Sequence, residues 1–199
     1  FMTDKYGAGQ DPYCYPNTAV LINLFDLQSD EELEKAEVEF TSYRLSTFTP
    51  DFENLNFEFL CQIHFHLFQD LYPWAGQIRT VDISKQSTHF CNVRFILTSS
   101  SKCFDLLSKN NYLRGMQQAT FIETIADFFC EMNVVHPFRE GNGRSLRLFC
   151  EILALQAGYE LSWKDVDQQT WLQANIAGYE GDLNPLIRLF HVATKQLTF

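Results

Sequence analysis

The chain has 199 residues, a length that corresponds to one domain with at most a short appendage. Hydrophobic residues make up 46% and charged residues 20%, which is typical of a folded globular protein and argues against a disordered chain. The formal net charge of −10 and the lack of any run of Lys and Arg argue against direct binding of nucleic acid. An anionic ligand would therefore need a local cluster of positive charge.

Three features of the sequence predict a cytoplasmic protein. No apolar run approaches the ~18–20 residues that cross a bilayer, so we expect no membrane partner. The polar N-terminus lacks the apolar region of a signal peptide. The six cysteines are scattered without any Cys-x-x-Cys pair, and we interpret them as reduced core residues, not as disulfides or metal ligands.

The N-terminal part of the chain predicts an irregular arm followed by two helices. Gly and Pro are frequent in the first ~25 residues, which favours irregular structure. Ser29 and Glu32 have the spacing of a capping box, so a helix is predicted to begin there. Its inward positions are Leu33, Ala36, Phe40 and Tyr43. A second helix is predicted over 54–72, and Pro73 and Gly76 end it.

The rest of the chain predicts one hairpin and five helices. The hairpin consists of β-rich pieces at 78–83 and 91–96 that flank a turn at 85–88. Helices are predicted over 100–109, 120–134, 143–157, 168–177 and 184–196. Thr120 and Glu123 have a second capping-box spacing, and Gly158 follows the most apolar of these helices. The pattern predicts a mainly α, single-domain helical bundle with a short β-hairpin.

Residues 136–147 read His-Pro-Phe-Arg-Glu-Gly-Asn-Gly-Arg-Ser-Leu-Arg and carry the chemistry of the chain. A glycine-containing loop runs here into the N-terminus of an apolar helix. The first N–H groups of a helix have no intrahelical acceptor and lie at the positive end of its dipole, which makes them an anion site. Gly141 and Gly143 allow the backbone to approach a ligand closely, and Asn142 offers amide donors.

Four side chains around this helix start predict phosphate chemistry. Arg144 and Arg147 are three positions apart on one helix face, and their guanidinium groups suit phosphate oxygens. Glu140 adds a carboxylate that, with phosphate oxygens, suits Mg²⁺. His136 has an unperturbed pKa of ~6.5, which suits a general base at neutral pH. The combination predicts phosphoryl or nucleotidyl transfer, although the GxxxxGK[ST] phosphate loop is absent.

The segment resembles the Fic family signature HxFx[D/E]GNGRxxR at every fixed position. The matching residues are His136, Phe138, Glu140, Gly141, Asn142, Gly143, Arg144 and Arg147. Residues 71–79, Leu-Tyr-Pro-Trp-Ala-Gly-Gln-Ile-Arg, resemble the start of the Fic flap hairpin, and the similarity covers most of 54–190. The resemblance implies a Fic-type helical bundle with a hairpin flap, divided into an N-terminal arm and helix over 1–53 and a catalytic domain over 54–199.

The activity that this resemblance implies is adenylylation. AMP would pass from ATP, with Mg²⁺, to a Tyr, Ser or Thr hydroxyl of a target protein, and pyrophosphate would leave. His136 is the implied base, Glu140 the implied Mg²⁺ ligand and Phe138 an inward-pointing structural residue. The implied ATP contacts are Asn142 with the backbone of Gly141 and Gly143 as an anion hole, Arg144 at the α- and β-phosphates, and Arg147 at the γ-phosphate.

The flap is implied to hold the target protein. A segment of the target would add a strand to the hairpin over 83–95 by β-augmentation. The implied target-binding residues are Ile83, Lys85 and Phe90, with Lys85 the contact near the reacting atoms.

The N-terminal arm resembles that of compact bacterial Fic toxins, which a small separate antitoxin holds inactive. Fic enzymes are restrained by a glutamate, within [S/T]xxxE[G/N], that pairs with the second motif arginine, here Arg147. One match at 49–54 contains Glu53, but Pro50 lies inside it and it adjoins the first core helix. We interpret that match as coincidental and expect inhibition by a partner. The toxin class also implies a type II topoisomerase as the target.

Two other functions stay open. One is a related transferase that uses another nucleotide or phosphate donor, although family members that phosphorylate lack the second motif glycine and Gly143 is present here. The other is a catalytically silent binding module, against which the intact His136, Glu140 and Arg147 argue.

Overall fold

The computed structural model describes residues 11–85 and 88–197. Seven α-helices lie in this part of the chain: α1 (Asp30–Ser46), α2 (Phe57–Phe68), α3 (Ile96–Lys109), α4 (Gln118–Val135), α5 (Asn142–Ala157), α6 (Gln168–Tyr179) and α7 (Asn184–Ala193). Strand β1 (Ser84–Lys85) pairs antiparallel with β2 (Thr88–His89), and β3 (Tyr159–Leu161) pairs antiparallel with β4 (Thr194–Gln196). The prediction of a mainly α fold with a short hairpin is confirmed.

Helix α1 begins where its cap was predicted. The Ser29 side chain accepts a hydrogen bond from the Glu32 N–H, which satisfies one of the free donors at the helix start. Leu33 is buried, as predicted. Tyr43 was predicted to face inward and is instead 61% exposed, while Thr41 is the buried residue in this part of the helix.

Helix α5 forms the centre of the bundle and packs against α2, α4 and β3. Its buried apolar residues lie on several sides of the helix: Leu146, Leu148, Phe149, Cys150, Ile152, Leu153 and Ala154. Gly158 ends it with a φ of 91°, a left-handed conformation that glycine adopts without strain, so the predicted stop is confirmed. Because α5 is packed on several sides, the position of its N-terminus is fixed by the hydrophobic core.

The second β-rich piece of the predicted hairpin is helical in the structure. A 3₁₀ turn over Val93–Phe95 leads directly into α3, so the strand prediction for 91–96 is wrong. The Asn92 side chain accepts from the Arg94 N–H, and the Asp82 carboxylate accepts from the Val93 N–H at 2.8 Å. These polar caps start a helix despite the β-branched composition of the segment. In the described part of the hairpin, Ser84 and Lys85 pair with His89 and Thr88 as strands, and residues 78–82 of the first predicted piece lie outside them.

Several further element boundaries differ from the predictions, among them those of α4 and α7. Helix α4 begins at Gln118 without a side-chain cap, so Thr120 lies inside the helix and the second capping box is wrong. Helix α7 ends at Ala193, because residues 194–196 pair with β3. The pairing of β4 with β3 joins the chain end to the C-terminal side of α5, a contact between distant residues that local periodicity does not indicate.

No helix in the described ranges has the length and the apolar character needed to span a bilayer. Of the six cysteines, Cys14, Cys130 and Cys150 are buried, and Cys61, Cys91 and Cys103 are partly buried. Burial raises the pKa of Cys61, Cys103 and Cys130 to about 11, so these thiols stay protonated at neutral pH.

Candidate active site

His136 ends α4 in a left-handed backbone conformation, with a φ of 48°. Its N–H donates to the Met132 carbonyl at 3.1 Å, and its Nδ1 lies 2.9 Å from the carbonyl oxygen of Asn133. Because a carbonyl only accepts hydrogen bonds, Nδ1 carries the proton and Nε2 is the basic atom of the ring.

The surroundings of His136 keep its imidazole neutral. Burial lowers the pKa of His136 to about 3, the bond to Asn133 partly opposes this shift, and the positive charges of Arg79 and Lys85 add to it. The Phe90 ring stacks on the imidazole with 3.7 Å between ring centroids and 17° between planes. At neutral pH the imidazole is therefore uncharged and the lone pair of its Nε2 is available, and Phe90, a residue predicted in the flap, lies directly against the ring.

Arg79 is a buried residue that fixes His136 and to which the sequence analysis assigned no role. Its Nε donates to the His136 carbonyl at 2.8 Å, its Nη1 donates to the Val81 carbonyl at 2.7 Å, and its Nη2 donates to the Cys91 carbonyl. Its own N–H donates to the Pro137 carbonyl at 2.9 Å. The guanidinium thus joins both sides of the hairpin to the loop that carries His136.

Asn142 closes the loop between α4 and α5. Its Oδ1 accepts from the Phe138 N–H and its Nδ2 donates to the Phe138 carbonyl, both at 2.8 Å. Phe138 is 1% exposed, which agrees with the structural role predicted for it. Because the Asn142 side chain is engaged with the loop, a ligand at the helix start would meet the backbone N–H of this residue.

His64 of α2 supports the same loop from below. Its Nε2 donates to the Glu140 carbonyl at 2.9 Å, and its Nδ1 accepts from the Gly76 N–H at 2.8 Å. The imidazole also stacks on the Phe138 ring with 3.9 Å between centroids. Both nitrogens are used in the neutral form, so protonation would break the bond from Gly76.

We predict that His64 makes the protein sensitive to acid. Burial lowers the pKa of His64 to about 4, and the charge of Arg144 adds to this shift. Between pH 6.5 and 4 the unfolded chain binds a proton at this site and the folded chain does not. The free energy of unfolding therefore decreases as the pH is lowered, by at most ~1.4 kcal/mol per pH unit. Urea unfolding from pH 7 to pH 4.5 measures this slope.

The variant His64→Gln tests the assignment, because a glutamine amide donates and accepts without titrating. Its unfolding free energy should depend less steeply on pH than that of the wild type. The exposed His191 offers the control His191→Gln, which should keep the wild-type slope. Equal slopes for His64→Gln and the wild type would show that His64 does not contribute.

The start of α5 has the form of an anion site. Gly141 has a φ of 78°, and a Cβ at this position would lie 2.4 Å from the Phe68 ring, so only glycine fits. A Cβ at Gly143 would meet no atom within 4 Å, so this glycine faces open space beside the first turn. The helix N–H groups there point to a position that a phosphate can occupy.

Arg144 and Arg147 lie on the first turns of α5 and line a cavity of about 220 Å³ between α1, α2 and α5. The Arg144 guanidinium lies over the Phe68 ring at 4.8 Å and forms an ion pair with Glu37 of α1. The Arg147 guanidinium lies over the Trp171 ring at 5.3 Å. The predicted pair of arginines is therefore present beside the anion site, and the aromatic rings hold both guanidinium groups in place.

Glu140 is half-buried at the end of the loop, and its Oε1 accepts from the Gly141 N–H at 2.9 Å. In the part of the chain that the structure describes, no group of three or more His, Cys, Asp or Glu could hold a metal alone. Mg²⁺ is commonly bound by one or two carboxylates together with substrate phosphates. A single carboxylate next to a phosphate site fits that arrangement.

Comparison with known proteins decides the family. The profile of the Fic/DOC family matches residues 54–154. The chain belongs to the Fic/DOC family. It is 40% identical to the probable protein adenylyltransferase Fic of Escherichia coli strain K12 over 189 residues, which are 95% of this chain and 94% of that protein.

Two solved Fic structures resemble the whole fold. BepC, a VirB-translocated effector from Bartonella tribocorum with bound AMPPNP, has a TM-score of 0.87 at 25% identity and covers 94% of this chain and 97% of its own. The N-terminal Fic domain of an effector from Bartonella quintana with bound ADP has the same TM-score and identity over 94% of this chain and 95% of its own. The resemblance of residues 136–147 to the Fic signature is thereby confirmed.

The predicted flap residues differ in how closely they approach His136. The Phe90 N–H donates to the Ile83 carbonyl at 3.3 Å, and Phe90 covers His136. Lys85 is exposed on β1, close enough for its charge to lower the pKa of His136. The Tyr179 hydroxyl of α6 accepts from the His89 N–H and donates to the His89 carbonyl, which fixes β2. No local pattern in the sequence indicates this role of Tyr179, because its partner lies 90 positions away.

Glu53 is exposed and lies between α1 and α2, beside the C-terminal end of α5 and not beside the helix start that carries Arg147. The neighbouring Phe52 carbonyl accepts from the Gln156 side chain at the C-terminal end of α5. Gln156 is nine positions from Arg147, or ~13 Å along the helix axis. This location favours the interpretation of the Glu53 match as coincidental.

Proposed function

We propose that this protein is a protein adenylyltransferase, which transfers AMP from ATP to a Tyr, Ser or Thr hydroxyl of a target protein and releases pyrophosphate. The observation that carries the proposal is the neutral His136 next to the anion site at the start of α5. The name of the relative from Escherichia coli, probable protein adenylyltransferase Fic, and the AMPPNP and ADP bound by the two Bartonella proteins support it.

His136 is the general base in this proposal. Its Nε2 accepts the proton of the target hydroxyl while Nδ1 stays bonded to the Asn133 carbonyl. The hydroxyl oxygen forms a bond to the α-phosphorus of ATP, and the bond from that phosphorus to the oxygen of the β-phosphate breaks. Pyrophosphate leaves with the electron pair, and the target carries an AMP ester.

The phosphates are held by the first turns of α5. The N–H groups of Asn142 and Gly143 stabilise the charge that develops at the α-phosphate, and the Gly141 N–H joins them when Glu140 turns away from it. Arg144 contacts the α- and β-phosphates and Arg147 the γ-phosphate. Glu140 would hold Mg²⁺ against the phosphates, and the bound ion would neutralise their charge.

The flap is the proposed docking site for the target. Ile83, Lys85 and Phe90 would hold a target segment that pairs with the flap by β-augmentation, and the stacking of Phe90 on His136 supports this assignment. The proposed domain boundaries are those expected from the sequence: residues 1–53 form the N-terminal arm and helix, and residues 54–199 form the catalytic domain.

We also propose that the protein is the toxin of a toxin–antitoxin pair. A small antitoxin would place a glutamate near Arg147 in the cavity between α1, α2 and α5, and the modified protein would be a type II topoisomerase of the bacterial cytoplasm. Glu151 lines the same cavity and its charge acts on Arg147, but among the described residues the two form no salt bridge, and a glutamate of the antitoxin would supply one.

The position of the label on ATP tests the reaction class. The purified protein is incubated with a bacterial lysate, Mg²⁺ and ATP labelled at either the α- or the γ-phosphate. Transfer of the α-label alone to protein is the expected result. Transfer of the γ-label would instead establish a phosphotransferase, and ATP binding without transfer of either label would establish a silent binding module.

We predict that Glu37→Gln lowers the KM for ATP. The ion pair with Glu37 competes with ATP for Arg144, and the Tyr72 hydroxyl, which donates to the other Glu37 oxygen at 2.5 Å, keeps the carboxylate in place. Loss of a partly exposed pair of this kind is worth about 1 kcal/mol, or roughly fivefold in KM. Steady-state kinetics with varied ATP measure the change.

The control for this variant is Glu39→Gln, which removes the same charge from an exposed position on the same helix. Its KM should stay within twofold of the wild type, a margin that corresponds to about 0.4 kcal/mol. A higher KM in Glu37→Gln would contradict competition and would mean that Glu37 orients Arg144 for ATP.

A further inference from the structure

Arg139 lies in the middle of the motif loop and points away from the proposed phosphate site. Its side chain is 3% exposed, and its Nε and Nη2 both donate to Oδ2 of Asp11, at 3.1 and 2.8 Å. The Asp11 side chain is 7% exposed, and the two residues are 128 positions apart in the chain. A buried ion pair therefore joins the N-terminal arm to the loop that carries His136.

Asp11 is itself fixed by the arm. Its Oδ1 accepts from the Tyr13 N–H at 2.9 Å, and its carbonyl accepts from the Cys14 N–H at 3.0 Å. Cys14 is 3% exposed and Val20 and Leu21 are buried with it in the core. The aspartate is thus held in a turn that is packed against the core, and it cannot follow the loop if the loop moves.

A buried ion pair of this kind contributes little net stability, because the cost of removing two charges from water offsets their attraction. Its effect is geometric, since two donors of the guanidinium converge on one oxygen of a fixed carboxylate. Arg139 and Phe138 both point into the protein, so the loop is fixed at two adjacent residues between His136 and Glu140. The spacing of the base and the predicted metal ligand depends on these two anchors.

We propose that Asp11 is a positioning residue for AMP transfer. Through Arg139 it holds the loop so that His136 and Glu140 keep the relative placement that the reaction requires. The N-terminal arm, which lies outside the matched Fic region of 54–154, is then a working part of the active site. This inference rests on the proposed function.

The test compares Asp11→Asn with Tyr13→Phe. The first variant keeps the size of the side chain and an Oδ1 acceptor but leaves the Arg139 charge unpaired. The second removes the Tyr13 hydroxyl, which accepts from the Thr80 N–H at 3.1 Å, and so weakens another attachment of the same arm. Initial rates of AMP transfer give kcat and KM, and hydrogen exchange followed by mass spectrometry reports the mobility of the peptide over 136–143.

Asp11→Asn should lower kcat by at least about tenfold, because small displacements of reacting groups are costly, and should change the KM for ATP less. It should also speed exchange of the loop amides. Tyr13→Phe should leave both quantities near the wild-type values. Wild-type kcat and exchange in Asp11→Asn, or equal losses in the two variants, would overturn the proposal.

A double variant covers the case in which Asp11→Asn does not fold. Asp11→Asn with Arg139→Met leaves no unpaired charge, so it should unfold near the wild-type temperature and still lose at least about tenfold in kcat. Wild-type kcat in the double variant would overturn the proposal. If the wild type transfers no AMP, the proposed function fails, and the exchange comparison still decides whether Asp11 holds the loop.

Discussion

Replacement of His136 by asparagine is expected to lower AMP transfer by about 10²–10⁴-fold, the usual contribution of a general base. Asparagine tolerates the left-handed conformation of this position, with its φ of 48°, so the loop should keep its form. The ATP contacts proposed for α5 do not involve the imidazole, so ATP should still bind. Initial rates with α-labelled ATP and calorimetric titration with ATP and Mg²⁺ measure the two effects.

The control for this variant is His191→Asn, which changes an exposed histidine on α7. It should transfer AMP at the wild-type rate. Labelling by His136→Asn at a rate close to that of the control would show that another group accepts the proton of the target hydroxyl.

Arg79→Met is expected to affect stability and activity together. It leaves the carbonyls of His136, Val81 and Cys91 without their donor, and each buried unpaired group costs about 1–3 kcal/mol. Removal of a buried charge offsets part of this loss, so we expect a net loss of roughly 3 kcal/mol and a decrease in Tm of about 6–12 °C for a chain of this size. Thermal unfolding followed by circular dichroism measures the decrease.

AMP transfer by folded Arg79→Met should fall by at least about tenfold, because the carbonyl of the base and the hairpin that covers it lose their common anchor. Arg79→Lys keeps the charge but not the fork of donors, so it should lie between the wild type and Arg79→Met. Arg188→Met, at an exposed position on α7, is the matched control and should change neither quantity. A wild-type Tm in Arg79→Met would mean that the carbonyls find other donors.

The helical fold and the function of the motif could be predicted from the sequence, because both depend on residues that are close together in the chain. The Ser29 cap, the Gly158 stop and the apolar character of α5 each act within a few residues, and the structure agrees with all three. Residues 136–147 contain the anion site, the arginines and the base in one continuous segment. Their identity could therefore be inferred without knowledge of the fold.

The support of the site could not be predicted, because it depends on buried polar contacts between distant residues. Arg79 reaches His136 across 57 positions, His64 reaches Glu140 across 76, and Asp11 reaches Arg139 across 128. No periodicity relates such residues. The error over 91–96 has a related cause, since the Asp82 carboxylate caps a helical turn that starts eleven residues later, at Val93.

AMP transfer with His136 as the base is tested most directly by the chemical identity of the adduct on the target protein. The purified wild type is incubated with a bacterial lysate, Mg²⁺ and ATP, and peptides are analysed by tandem mass spectrometry beside a His136→Asn sample. We expect AMP esters on Tyr, Ser or Thr side chains, present only with the wild type. Phosphate esters in their place, or AMP esters that persist with His136→Asn, would contradict it.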